Sequence, residues 1–407
     1  MTMSHSNTGI PNSNAFINRI ITPVLLFVVV AVVYAIVAYE SVVVTLISLV
    51  IGASLFVGYS KIPGLKEIIK ESIRKDKIIL LVTGLVLAIA IPLTLRGQPY
   101  IIHIFVIAEI SIILALGLNF QVGSTGIPNL GYAAFYGVGA YASALLSTRL
   151  GISFWVSLLA AGFIAALFGW LVGLPTLRTR SYHMALVSIA FGLVTYIMLN
   201  NLAFTGGPNG IKNIPAPEIF GWSLFSSIKI FGNAYPVQLN FYYLVLFITL
   251  LMVVVSHFVY NSKIGLFWNA VREDEIAAKC SGINASALKL LSFSMGAFLA
   301  GIAGALYAHY VGYISPENFN MNTSLQILGM VIMGGMDNIF GVSIGAFILS
   351  VAPEKFRALA DFRMLATGLI ILLMLMFRPS GIIKQQIRIY AAKYFSSKKS
   401  SNGDTNG

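Results

Sequence analysis

Glu109 is the residue of this sequence whose type and surroundings most directly demand chemistry. It stands nine residues into the apolar run Ile101–Val122, where an ionised carboxylate is costly and marks a proton- or cation-carrying position. The other reading is a protonated, hydrogen-bonded group that holds helices together. His103, six residues earlier, lies on a different helical face and is a poor partner for it. Enzymatic patterns are missing: no Ser/His/Asp or Cys/His arrangement and no His or carboxylate cluster with metal spacing can be assembled, so no catalytic group and no metal site is expected. Cys280 is the only cysteine, which excludes an internal disulfide and any multi-cysteine metal centre. Thr205-Gly206-Gly207-Pro208-Asn209-Gly210 invites a phosphate-loop reading, but no Lys-Ser/Thr follows, so it reads as a tight outer turn.

The elements that must position these residues follow from composition. Hydrophobic residues make up 57% of the 407 and charged residues 10%, with a mean hydropathy of +0.86. That is too little charge to cover a soluble surface, which usually carries about 25%, and it fits a lipid-facing exterior. The formal charge of +12 sits in short gaps between apolar runs, at Lys61, Lys66, Lys70, Arg74, Lys75 and Lys77, and in the tail at Lys384, Arg388, Lys393, Lys398 and Lys399. This is the mark of a cytoplasmic membrane face rather than of a nucleic-acid surface.

The expected fold is an all-α polytopic membrane protein with about 10–12 membrane segments, both termini on the cytoplasmic side of a bacterial plasma membrane. Residues 1–18 form a polar tail, 19–97 carry additional spans (Ile20–Tyr39, Ser41–Tyr59 and Ile78–Leu95) around a basic loop, 98–383 form the core, and 384–407 a basic tail. Within the core, spans are expected at Ile101–Val122, Gly126–Leu146, Ile152–Leu174, His183–Ala203, Phe241–Tyr260, Leu291–Gly312 and Phe362–Phe377. The stretch Thr323–Val351 would be about 43 Å long as one helix, beyond the ~30 Å hydrocarbon core. Gly334, Gly335 and Gly341 divide it into two short segments.

A second glycine-rich interruption holds Gly123, Gly126, Gly131, Gly137 and Gly139 within seventeen residues. Close helix packing is one account. The other is a discontinuous helix lining a translocation pathway, with Gly123, Gly126, Asn129, Gly131, Tyr132, Gly137, Gly334 and Gly335 as candidates. Gly296, Ala300, Gly304 and Ala308, four apart, read as a packing stripe.

The stretch Ser262–Lys289 is a 28-residue connector where two to eight residues would serve. Trp268, Val271, Ile276 and Cys280 approximate one helical face, Gly282 is placed to end that helix, and Asn284 or Ser286 to cap the next. A docking element for a soluble partner explains its size.

Arg272-Glu273-Asp274-Glu275-Ile276-Ala277-Ala278 with Gly282-Ile283-Asn284 resembles the cytoplasmic coupling loop of ABC-importer permeases, and more narrowly of those for branched-chain amino acids. Ala115–Asn119, Asn129–Ala140, Thr205–Ile211 and Phe377–Ile382 agree in order along the chain, so the resemblance covers residues 101–382. The extra N-terminal spans are similar to those of the longer of two permease types. Two departures stand out. Pro175-Thr-Leu-Arg178 is followed by Thr179-Arg180-Ser181-Tyr182-His183 without the usual acidic residue, and Asp337 stands where glycine is common.

The resemblance implies a type II-like permease bundle, a second permease subunit, two ATP-binding subunits docked on the 262–290 loop, and an extracytoplasmic binding protein. ATP and magnesium are then expected on the partner subunits, and no cofactor on this chain. Branched-chain or related hydrophobic amino acids are the implied cargo. A permease for urea, short amides or other amino acids, or an ion-coupled transporter using Glu109, are the alternatives. The oversized loop favours the ATP-driven readings.

Overall fold

The computed structural model describes residues 77–95, 97–176, 181–219, 221–226, 229–230, 233–234, 236–355, 363–378 and 380–383. The expected first two spans, the basic loop up to Lys75, Arg178, Arg180 and the basic tail lie outside the described residues. The chain divides into two compact units, Met1–Ile102 and His103–Gly407. In the first, helix α1 (Lys77–Thr94) is apolar and carries Pro92 in its last turn.

Helix α2 (Pro99–Asn119) runs directly into a π-helical turn, Phe120–Ser124. Then come α3 (Ala133–Leu150), α4 (Phe154–Thr176), α5 (Ser181–Asn201) and α6 (Val237–Tyr260). A short pair, α7 (Lys263–Glu273) and α8 (Glu275–Cys280), leads into the long α9 (Ala285–Val311). The last helices are α10 (Met321–Gly334), α11 (Ile339–Lys355) and α12 (Arg363–Phe377). Five of these segments are long and apolar enough to cross a membrane: Pro99–Ser124, Phe154–Pro175, Met184–Asn201, Val237–Tyr260 and Ala285–Val311. On α4 the outward Leu159, Phe163 and Leu167 are more than half exposed, an arrangement that suits lipid and not water. The protein is an all-α polytopic membrane protein.

Helix α6 is 24 residues long, about 36 Å at 1.5 Å per residue. The loop before it and the α7–α8 hairpin after it therefore lie at opposite ends. At the first end, β1 (Ile211–Lys212) pairs antiparallel with β6 (Tyr313–Ile314), Ile211 opposite Ile314. Two minimal hairpins, β2 (Glu218–Ile219) with β3 (Trp222–Ser223) and β4 (Lys229–Ile230) with β5 (Asn233–Ala234), complete that strand end.

The packing centre is α9 against α3 and α4. Backbones meet here: a Cβ on Gly139 would lie 2.3 Å from the Gly301 Cα, one on Gly301 2.5 Å from the Ala161 carbonyl, and one on Gly304 2.3 Å from the Tyr136 carbonyl. Ala300 and Ala308 are fully buried, so the four-residue stripe read from the sequence is a helix contact. The division of 323–351 is also as the spacing predicts, with α10 ending at Gly334 and α11 starting at Ile339. Gly341 and Gly345 lie within 2.6 Å, by the same measure, of α10 backbone atoms. The other interruption differs from expectation, because helix begins only at Ala133 rather than Gly126. Gly126 is left-handed (φ 70°), and Pro128 disfavours helix at Ile127, so residues 125–132 stay irregular.

Valine at Gly301 is expected to lower the unfolding midpoint of the detergent-solubilised protein, since overpacking costs about 1–3 kcal/mol. Alanine at Gly84, where a Cβ meets nothing within 4 Å, leaves the midpoint unchanged or raises it.

Candidate functional site

The α7–α8 hairpin is built by consecutive caps. Ser262 Oγ accepts from the Ile264 amide at 3.2 Å to open α7. Asp274, in extended conformation (φ −155°, ψ 106°), ends α7 and opens α8, its Oδ1 accepting from the Ile276 and Ala277 amides at 2.8 and 3.0 Å. Gly282 (φ 80°) closes α8: its amide bonds the Lys279 carbonyl while that of Ile283 bonds Ala278, a Schellman motif. Asn284 Oδ1 then accepts from Ala287 at 3.0 Å to start α9. The spacing of Gly282 and Asn284 predicts both ends.

The single apolar face expected for the hairpin is not formed. Trp268 and Val271 are buried, but Ile276 is 75% exposed and Cys280 is also exposed. The extended Asp274 turns α8 away from the α7 helical phase, and Ala278 packs in their place with Ala285, Ile283 and Leu288. Trp268 donates to the Leu288 carbonyl at 2.9 Å. Glu275 pairs with Lys279 at 2.9 Å and with Lys289 of α9 at 2.6 Å. Partial burial raises its carboxyl, but the two lysines outweigh that and hold it below the usual carboxylate value.

Arg272 reaches from the hairpin into the bundle and donates to the Gly123 carbonyl in the π-helical turn. Left-handed Gly126 lies beside the Arg272 stem, where its Cβ would be 3.0 Å from Cγ. Around this contact several freed backbone groups find partners in a distant residue or a local turn. The Gln121 carbonyl accepts from the Ile127 amide and the Thr125 hydroxyl, at 3.0 and 2.7 Å. The amides of Leu130, Gly131 and Ala133 bond Ser188 Oγ, Asn129 Oδ1 and Ser324 Oγ, at 3.0, 3.0 and 2.9 Å. Asn129 Nδ2 also donates to Gln121 Oε1 at 2.6 Å, and the Tyr132 hydroxyl to the Gly296 carbonyl at 2.8 Å.

The second interruption joins the same network. Asn119 Oδ1 accepts from the Asp337 amide at 2.9 Å, while its Nδ2 donates to the Tyr260 hydroxyl at 2.5 Å. Ser124 Oγ donates to Asp337 Oδ1 at 2.9 Å. Asp337 is left-handed, with φ 62°. This explains why the position suits glycine, and why aspartate, which tolerates that conformation, can replace it. Phe120 packs between the rings of Tyr260 and Trp268, with centroids 5.4 and 5.6 Å away. Hairpin, first interruption and second interruption are thus one connected polar centre. Of its members, the sequence singled out Gly123, Asn129, Tyr132, Arg272 and Asp337, and Asn119 only as the end of a motif, but not Gln121, Ser124 or Tyr260.

Of the remaining candidates, Gly123 belongs to this centre and the others lie around or outside it. A Cβ on Gly123, Gly131, Gly137, Gly334 or Gly335 would come within 3.0 Å of a neighbour's atom, so these are sites of close approach. Two 3-10 turns, Ala203–Thr205 and Gly207–Asn209, build Thr205–Gly210, with Gly206, Gly207 and Gly210 at positive φ and Gly210 packed on the Ile314 carbonyl; it is a tight turn. Glu109 is buried and hydrogen-bonded to the Tyr242 hydroxyl, its Oε2 having no partner among the described residues. His103 bonds the Tyr310 hydroxyl at 2.7 Å instead. Glu273 and Asp274 are exposed on the hairpin.

The family model for the branched-chain amino acid transport system permease component matches residues 100–378, spanning both interruptions and the hairpin. The chain belongs to this family. It is 41% identical over 320 residues to the high-affinity branched-chain amino acid transport system permease protein LivM of Escherichia coli K12, covering 74% of each chain. It is 40% identical to LivM of Salmonella typhimurium LT2, covering 76% of this chain and 75% of that one. To LivH of the same Salmonella strain it is 26% identical, over 67% of this chain and 90% of LivH. The greater likeness to LivM bears out the longer permease type. No solved structure matches the chain.

Two predictions follow for this permease. Asp337→Gly and Asp337→Ala both lose the Ser124 bond, but only alanine strains the left-handed backbone. The alanine variant should therefore unfold about 1 kcal/mol more easily than the glycine variant in detergent melts. Glu275 has its folded-state carboxyl value lowered, so its ion pairs stabilise above the unfolded value of about 4.3 and their effect is lost as pH falls through the folded value. At this partial exposure the effect is about 1 kcal/mol or less. The melting gap between parent and Glu275→Gln should be present at pH 7 and close on acidification.

Proposed function

We infer that the chain is the membrane-spanning permease subunit of an ATP-driven importer for branched-chain amino acids. The observation that carries this reading is the α7–α8 hairpin. It is a capped, rigid element with an exposed outer edge at Glu273 and Ile276, tied by Arg272 to a broken helix inside the bundle. A chain that powered itself from an ion gradient would have no use for it. The sequence carries no G-x-x-x-x-G-K-[ST] with which to cradle ATP phosphates, so ATP and magnesium belong to two partner subunits that dock on this edge. Lys263, Arg272, Lys279 and Lys289 support a cytoplasmic hairpin end, and hence cytoplasmic termini in a bacterial inner membrane. The strand end then faces the binding protein that delivers the amino acid.

LivM-like and LivH-like relatives, both named permease proteins, support a second, different permease as the partner across the pathway. Dimerisation of the ATP-binding subunits moves the hairpins, and Arg272 passes that movement to the π-helical turn and, through Ser124 and Asn119, to Asp337. The buried Glu109 keeps one alternative open to test, ion-coupled transport. Vanadate-sensitive and ionophore-insensitive leucine uptake decides against it.

The double substitution Glu273→Lys with Ile276→Asp, on side chains exposed at the outer edge, is expected to reduce ATP-driven uptake at least tenfold. Membrane abundance and melting temperature should match the parent. Unchanged uptake overturns the docking assignment.

A further inference from the structure

A cavity of about 220 Å³ opens between α5, the start of α3 and the start of α10. One wall is aliphatic and aromatic, formed by Leu130, Ala134, Ile189, Leu193 and Phe319. Asn320 and Asn322, at the beginning of α10, also line it. The rim carries Tyr196, whose hydroxyl donates to the carboxylate of Glu317. We propose that this cavity is an amino-acid contact site on the translocation route, taking an aliphatic side chain against Leu193, Ile189 and Phe319, with the neighbouring Tyr196–Glu317 pair meeting the ammonium group and Asn320 and Asn322 the carboxylate.

The chemistry matches a zwitterion with a branched apolar side chain and little else. The volume is below the ~300–1,000 Å³ typical of sites for drug-sized ligands, which excludes a peptide or nucleotide. A small apolar chamber with a few polar groups at one edge orients its ligand through those groups. Asn320 Oδ1 caps α10 by accepting from the Thr323 amide at 3.2 Å, so its Nδ2 is the atom that can donate to the carboxylate.

The position of the cavity also ties it to the drive. Gly131 and Gly192 pack backbone to backbone beneath it, a Cβ on Gly192 lying 3.1 Å from the Gly131 Cα. Ser324 Oγ holds the Ala133 amide at 2.9 Å, joining the α10 and α3 starts that form two of its sides. Phe319 is seated on Gly137, within 3.0 Å by the same measure, and on the ring of Tyr136 at 4.9 Å. Both interrupted segments thus end at this chamber, while their other ends meet at Arg272 and Asp337. A shift of the hairpin reshapes the chamber.

The inference rests on the reading of the chain as a branched-chain amino acid permease, and the test separates the two. Leu193 is about half exposed, so it tolerates replacement. Leu193→Cys in a Cys280→Ser background gives this chain a single thiol. Its rate of modification by a small charged thiosulfonate is read on this chain, by mass, in purified complex with millimolar L-leucine or L-glutamate. Leucine is expected to slow labelling at least threefold, and glutamate to have no effect. In uptake assays Leu193→Trp raises KM for leucine about tenfold more than for the smaller alanine. Glu317→Gln raises KM for leucine with abundance unchanged. Leucine uptake by the parent, with no protection and equal losses for all amino acids, overturns the cavity assignment alone. A parent that imports no aliphatic amino acid overturns the function and the cavity together.

Discussion

A backbone carbonyl released from its helix inside an apolar bundle has no water to turn to, and the cost of leaving it bare is several kcal/mol. Gly123 presents such a carbonyl, and Arg272 answers it from the hairpin. Much of the architecture is arranged around that need. The interruption after α2 is tolerated because Arg272, Ser188, Ser324 and Thr125 take up groups that a continuous helix would have paired internally. An element at the membrane surface has therefore become part of the internal accounting of a broken helix. Neither can move without the other.

The hairpin is suited to this role because its own geometry leaves little slack. Three side-chain caps and a Schellman motif fix α7, α8 and the start of α9 in turn, while Trp268 and the Glu275–Lys289 pair fasten it to α9. The irregular segment it contacts is likewise held by hydrogen bonds at nearly every step. The junction is two stiff parts linked through a few polar contacts, the kind of arrangement that takes up discrete positions rather than deforming smoothly.

Local signals carried most of what the sequence disclosed. Hydropathy placed the long spans among the described residues, Gly126–Leu146 apart; excess length and Gly334–Gly335–Gly341 divided the 323–351 stretch, and Gly282 and Asn284 marked helix ends, because a cap is decided within four residues. Ile276 was misplaced because helical spacing was carried across Asp274, whose extended backbone resets the phase. The polar centre was largely hidden. Ser124 and Asp337 lie 213 residues apart, Asn119 and Asp337 218, Gly123 and Arg272 149, and no periodicity reports such pairs. Glycines such as Gly131 were visible as points where a side chain is forbidden. A backbone pressed on another backbone and a backbone facing a ligand leave the same mark in a sequence, and only coordinates separate them.

Helix α9 runs from the Asn284 cap to the left-handed Gly312 without interruption, 27 residues or about 40 Å. Its near end is clamped to the hairpin by Lys289, and its far end leads straight into β6, which is hydrogen-bonded to β1 of the opposite loop. A rod of that length tilted by only one degree displaces its tip by about 0.7 Å. The strand end is therefore a lever tip, and its position is set by whatever moves the hairpin end.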